Sequence, residues 1–222
     1  MDSTLIQQEV IDEVARTLHL EREVSDITAR AMNGELDFTE SLRARCALLA
    51  GCPASVWDDL RTRGVITITP GARDLIAALK HLGFKTAVLS GGFTPLAGWL
   101  AGELGLDHFH ANHLAVDEAA GTLTGEVTGD IVNAERKAFL LEDIARREGV
   151  PLANTMAVGD GANDLLMMAK AGLGVAWNAK PIVQQKAPAK LNSDTLLDLL
   201  GILGWTTQEE REELVRAARQ KS

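Results

Sequence analysis

The chain has 222 residues, 46% hydrophobic and 24% charged, enough for one ordinary core or for a core carrying a smaller insertion. Its 22 Lys and Arg against 31 Asp and Glu leave a net charge of −9, which argues against a nucleic-acid or anionic-membrane surface and favours a divalent cation at any acidic site. No window approaches the ~20 apolar residues of a membrane span; the N-terminus lacks a signal pattern and Cys46 and Cys52 lack zinc-site spacing, so a cytoplasmic protein with free thiols is expected.

From Ile6 to about Leu60 apolar residues recur at helical spacing, through Ile6, Val10, Val14 and Leu18, then Ile27, Ala31, Leu42, Cys46 and Leu49. "TPGARDLIAALKHLG" predicts a further helix, with Pro70 near its start and Gly83 past its end. Beyond it, the β-rich runs "FKTAVLS", "FHANHLAV", "TLTGEV", "TMAVGD" and "LGVAW" alternate with amphipathic helices, the pattern of a parallel α/β sheet. "EAAGT" is expected to turn a two-stranded ribbon, a long helix to stop at Gly149, and Thr207 with Glu210 to form the capping box of a terminal helix. The reading is a helical insertion ahead of an α/β core, with the boundary near residues 62 to 72. The four tryptophans read as packing.

In parallel α/β sheets ligands bind beyond the carboxyl ends of the strands. "AVLSGGF" places Ser90, Gly91 and Gly92 at such an end. Two glycines there either turn backbone N–H groups toward an anion or merely make a tight turn. "AVGDGANDLLMMAKAG" ends a strand in Asp160 and places Asn163 and Asp164 just after it. Capping alone would not explain that cluster beside two glycines, so a hard cation such as Mg²⁺ is the favoured reading. Lys137 near a helix start opposes the helix dipole and suits an anion, or is an ordinary solvated lysine. His108, His110 and His113 lack a supporting carboxylate set and read as surface residues.

In this order, and over nearly the whole chain to about residue 200, "DSTLIQQEVIDEVA", "AMNGELDFTESLRARCALLAG", "VLSGGF", the Lys137 helix and "VGDGANDLLMMAKAGLGVAWNAKPIVQQKA" resemble the phosphoserine phosphatases of the haloacid dehalogenase superfamily. The resemblance implies a Rossmann-like parallel sheet with a helical cap inserted after the first motif, here a core of residues 1–6 and 70–222 and a cap of 7–69. It implies Mg²⁺-dependent hydrolysis of O-phosphoserine, the last step of serine biosynthesis. Asp2 matches the acid/base, whose backbone carbonyl also reaches the metal. Ser90, Gly91 and Gly92 match the phosphate-binding turn, and Lys137 the phosphate-holding lysine. Asp160 and Asp164 match the metal carboxylates, with Asn163 at the substrate. In the cap, Glu9 matches the carboxylate that receives the substrate ammonium, Arg45 the cation for its carboxylate, and Phe38 an aromatic that closes the pocket. Without the resemblance, Glu9 and Arg45 read as solvated helix charges.

The departure lies at the beginning. The nucleophile of the Asp-x-Asp-x-Thr motif should stand two residues before Asp2, so neither it nor its strand is among the 222 residues. A start set at an internal methionine, with an apolar strand and the aspartate upstream, is the preferred explanation; a fragment is the second. A catalytically dead protein that binds phosphoserine or a partner is the third, and a phosphatase for another small phosphomonoester is an alternative within the enzyme class. Without its central strand the sheet should show two unpaired edges and an open slot. No oligomeric state follows from the sequence.

Overall fold

The computed structural model describes residues 1–220. Four helices come first: α1 (Val10–Thr17), α2 (Glu21–Met32), α3 (Phe38–Ala47) and α4 (Val56–Thr62). α1 buries an apolar stripe of Val10, Ile11, Val14 and Ala15, whereas α2 buries only Val24. The Asp37 side chain accepts from the Glu40 N–H while the Glu40 side chain accepts from the Asp37 N–H, so α3 starts on a complete capping box. Ile6, expected to begin the first helix, instead bridges Ile68 in antiparallel fashion. That pairing closes the neck of the helical segment, because the chain leaves and re-enters at one place.

The remainder alternates as expected: α5 (Ala72–His81), β1 (Ala87–Phe93), α6 (Thr94–Leu104), β2 (His108–Asp117), β3 (Thr122–Thr128), α7 (Ala134–Arg147), β4 (Met156–Gly159), α8 (Leu165–Lys170), β5 (Leu173–Trp177), α9 (Pro181–Lys186), β6 (Ala189–Leu191), α10 (Leu199–Ile202) and α11 (Gln208–Arg219). β2 and β3 form the antiparallel ribbon. The Thr207–Glu210 capping box opens α11, and of the tail helix read from sequence only Lys221 and Ser222 lie outside the described residues. One continuous core joins the helical segment to the α/β part, with Trp57 of α4 against Phe93 of β1, ring centroids 5.0 Å apart. Cys46 and Cys52 are buried free thiols within that core.

The sheet is divided in two. Among the described residues β1-β2-β3 form one three-stranded sheet and β4-β5-β6 another. β1 pairs only with β2, and β4 only with β5, both in parallel. Every residue of β1 and every residue of β4 lines one cavity of about 1360 Å³. Because successive side chains point to opposite faces of a strand, a cavity touched by all of them lies along the strand's edge. Leu75, Ile76 and Leu79 of α5 and Leu141, Ile144 and Ala145 of α7 complete the apolar lining. The two sheets leave a slot between β1 and β4, and its polar end is the candidate site.

Candidate active site

The carboxyl ends of β1 and β4, the N-terminal turn and the starts of α1 and α7 converge at one end of this cavity, under the helical segment. Asn133 caps α7 by accepting from the Arg136 N–H at 2.9 Å, which fixes the turn that presents Lys137. Lys137 is 4% exposed and Asp164 6%. Lys137 Nζ lies 2.7 Å from Asp164 Oδ1, and Asp164 Oδ2 accepts from the Gly161 N–H at 3.1 Å. The burial of Lys137 disposes of the solvated-lysine reading. Gly159 admits the carboxylate: a Cβ there would fall 2.3 Å from Asp164 Oδ2.

Asp2 sits opposite. Its Oδ2 accepts weakly from the Val10 N–H at 3.4 Å, at the start of α1, while its Oδ1 is buried without a hydrogen-bond partner among the described residues. Burial pushes the Asp2 carboxyl up to about 7, against the pull of the nearby N-terminal amine. Asp2 also lies against the glycine turn, since a Cβ on Gly92 would come 3.1 Å from both Asp2 Oδ2 and Ser90 Oγ. Ser90 is 2% exposed, and its Oγ accepts from the Gly92 N–H at 2.9 Å. The hydroxyl hydrogen is thereby left to donate into the cavity.

Asp160 accepts from the Thr4 hydroxyl at 3.0 Å. Burial, and next the Asp164 charge, raise its pKa. A half-buried carboxylate at a strand end is a donor for a hard cation. Asp160 could serve a divalent cation in this way, whereas Lys137 and the Gly161 N–H engage both oxygens of Asp164. Among the described residues no three His, Cys, Asp or Glu side chains gather as a metal cluster. Asp164, expected among the metal carboxylates, is here the partner of Lys137. Of the three histidines, His108 pairs through Nε2 with Glu148 at 2.8 Å.

The lid residues meet the core here. A Cβ on Gly91 would strike Phe38 Cζ at 2.9 Å and come 3.5 Å from Asn163 Nδ2, so Phe38 lies directly over the turn and only glycine leaves it room. Glu9 and Arg45 line the same cavity from α1 and α3. Glu9 Oε1 accepts from the Ser3 hydroxyl at 2.6 Å, and Arg45 Nε donates to the Ser41 carbonyl at 3.3 Å. The sequence reading did not single out Thr4, the strut under Asp160, or Asn112, which braces the phosphate turn. Thr4 could have been found as the last residue of "DST"; a lone asparagine in a strand carries no such signal.

A buried cation, a serine in a glycine turn and paired carboxylates at the ends of parallel strands, under a helical lid, define a phosphate-handling hydrolase site. The haloacid dehalogenase-like hydrolase model matches residues 1–169, and the chain belongs to that family. It is 53% identical over 215 residues to a phosphoserine phosphatase of Streptomyces coelicolor, covering 96% of this chain and 50% of that protein. It is 49% identical over 203 residues to a phosphoserine phosphatase of Idiomarina loihiensis, covering 91% of this chain and 90% of that one. A substrate-bound phosphoserine phosphatase structure superposes with a TM-score of 0.84 at 44% identity, covering 91% of this chain and 94% of its own. The chain thus spans half the length of the first of these relatives.

Proposed function

We propose that these residues form the body of a Mg²⁺-dependent phosphatase acting on O-phosphoserine. The observation that carries the reading is the buried Lys137 at the same cavity end as Ser90, Asp2 and Asp160, beneath a lid offering Glu9, Arg45 and Phe38. Phosphoserine carries one ammonium and one carboxylate beside its phosphate, and Glu9 and Arg45 supply one opposite charge for each.

Lys137 and the Ser90 hydroxyl hold the phosphate oxygens, with the N–H groups of the glycine turn at hand. Asp160 and the Asp2 carbonyl would hold Mg²⁺, which when bound neutralises phosphate charge. The attacking aspartate of the resemblance would stand immediately before Met1. As its oxygen bonds to phosphorus and the bond to the serine oxygen breaks, Asp2 gives its proton to that departing oxygen. Water then attacks the aspartyl phosphate, Asp2 takes the water's proton, and phosphate leaves. Burial, which raises the Asp2 carboxyl, favours the protonated form that donation requires. Phe38 over Gly91 excludes water while the lid is shut.

The test uses a chain extended by an apolar strand ending in Asp directly before Met1. Arg45→Ala should lower kcat/KM on O-phosphoserine by about tenfold or more, the worth of a hydrogen bond to a charged group. On phosphoethanolamine, which has no carboxylate, it should change little. Equal losses on both would remove the carboxylate role from Arg45.

A further inference from the structure

Asn112 is fully buried in β2 and belongs to none of the groups assigned above. Its side chain joins the turn at Gly91 to the segment before α7. Nδ2 donates to the Gly91 carbonyl at 2.7 Å, and Oδ1 accepts from the Val132 N–H at 2.8 Å. Those partners allow only one orientation of the amide, since a carbonyl must receive a donor and an N–H an acceptor.

The location explains the need. The β1–β2 ladder pairs Leu89 with His110 and then Phe93 with Asn112, so four steps on β1 answer two on β2. Ser90, Gly91 and Gly92 fall within that break and lack regular ladder partners. The Asn112 side chain supplies the missing bond. The Gly91 carbonyl and the Gly92 N–H belong to one planar trans peptide and point in opposite directions. Holding the carbonyl toward Asn112 therefore aims the Gly92 N–H away from it, onto Ser90 Oγ at 2.9 Å. The other end of Asn112 pins Val132, one residue before the Asn133 cap of the helix that carries Lys137.

We propose that Asn112 is a positioning residue which sets the Gly91–Gly92 peptide, and with it the Ser90 hydroxyl, in register with Lys137 for one phosphate group. Its link to phosphate rests on the phosphatase reading; its link to the Gly92 N–H does not. Asn112→Asp keeps the acceptor for Val132 but sets a carboxylate oxygen against the Gly91 carbonyl, which turns that peptide away. Leu114→Ala, on the same strand and outside the site, serves as a control for destabilisation alone.

Two readouts separate the claims. Amide hydrogen exchange of Gly92 in the native chain should be protected, and Asn112→Asp should speed it at least about tenfold more than Leu114→Ala does. Inorganic phosphate affinity, measured by calorimetry with Mg²⁺, should fall about tenfold or more in Asn112→Asp and stay near the native value in Leu114→Ala. A Gly92 amide exchanging freely in the native chain would overturn the inference without any variant. So would an Asn112→Asp protein whose Gly92 protection and phosphate affinity match those of the control. Native protein that binds no phosphate while Gly92 remains under Asn112 control would instead sink the phosphatase reading.

Discussion

Removing Lys137 tests whether the site is built around a buried charge pair. The Lys137 and Asp164 side chains are 5% and 9% exposed and their charged atoms stand 2.7 Å apart. Without the lysine, Asp164 keeps only the Gly161 N–H at 3.1 Å and still faces Asp160. Breaking a buried pair from one side costs about 3–5 kcal/mol, a large part of the ~5–15 kcal/mol that holds a domain. For a chain of this size that lowers the melting temperature by about 6–20 °C. Lys137→Met should show this loss in urea unfolding at pH 7, and Lys137→Met/Asp164→Asn should recover most of it, because no uncompensated charge is left inside. The double-mutant cycle should then give a coupling of at least about 1.5 kcal/mol. A single variant within about 1 kcal/mol of the native chain, with no coupling, is the behaviour of an exposed pair and would refute the reasoning.

Gly172→Ala places a Cβ 2.1 Å from the Ala153 carbonyl oxygen, backbone that cannot swing away, and should cost about 1–3 kcal/mol in the same unfolding assay. Gly102→Ala, in α6 with nothing within 4 Å of the new methyl, should instead stabilise by about 0.5–1 kcal/mol; a loss of similar size for both would contradict the packing. Asp107 is pushed up by burial, but the Thr86 N–H and hydroxyl together with Lys80 outweigh that and leave its pKa below the usual value. A depressed folded pKa gives stability that is present above the unfolded value of about 4 and lost as pH falls through the folded one. Asp107→Asn should therefore be less stable at pH 7, by no more than about 1 kcal/mol given its exposure to screening solvent, with a gap that narrows as pH falls below about 4. A gap independent of pH would mean the carboxylate charge contributes nothing.

Much of the fold was legible because period and punctuation agree. The apolar stripe of α1, the Thr207–Glu210 box and the strand ending just before Asp160 all follow from local pattern. β6 (Ala189–Leu191) escaped notice, since three residues after Pro188 show no alternation and pair only because β5 offers an edge. Site membership was harder to read than site chemistry. Lys137 and Asp164 are 27 residues apart, and nothing local tells a buried lysine from a solvated one. The ion pair of Asp164 was hidden for the same reason: its partner comes from a distant helix. Asn112 answers a break in strand register, which only the paired strands reveal.

The most direct measurement is phosphate release from O-phosphoserine with Mg²⁺, comparing the 222-residue chain with the chain extended by an apolar strand ending in Asp just before Met1. The extension should fill the slot between β1 and β4 and bring the attacking carboxylate to Ser90 and Lys137, so only the extended chain should turn over. Equal turnover by both would show that the nucleophile lies among the 222 residues and contradict the role given to Asp2.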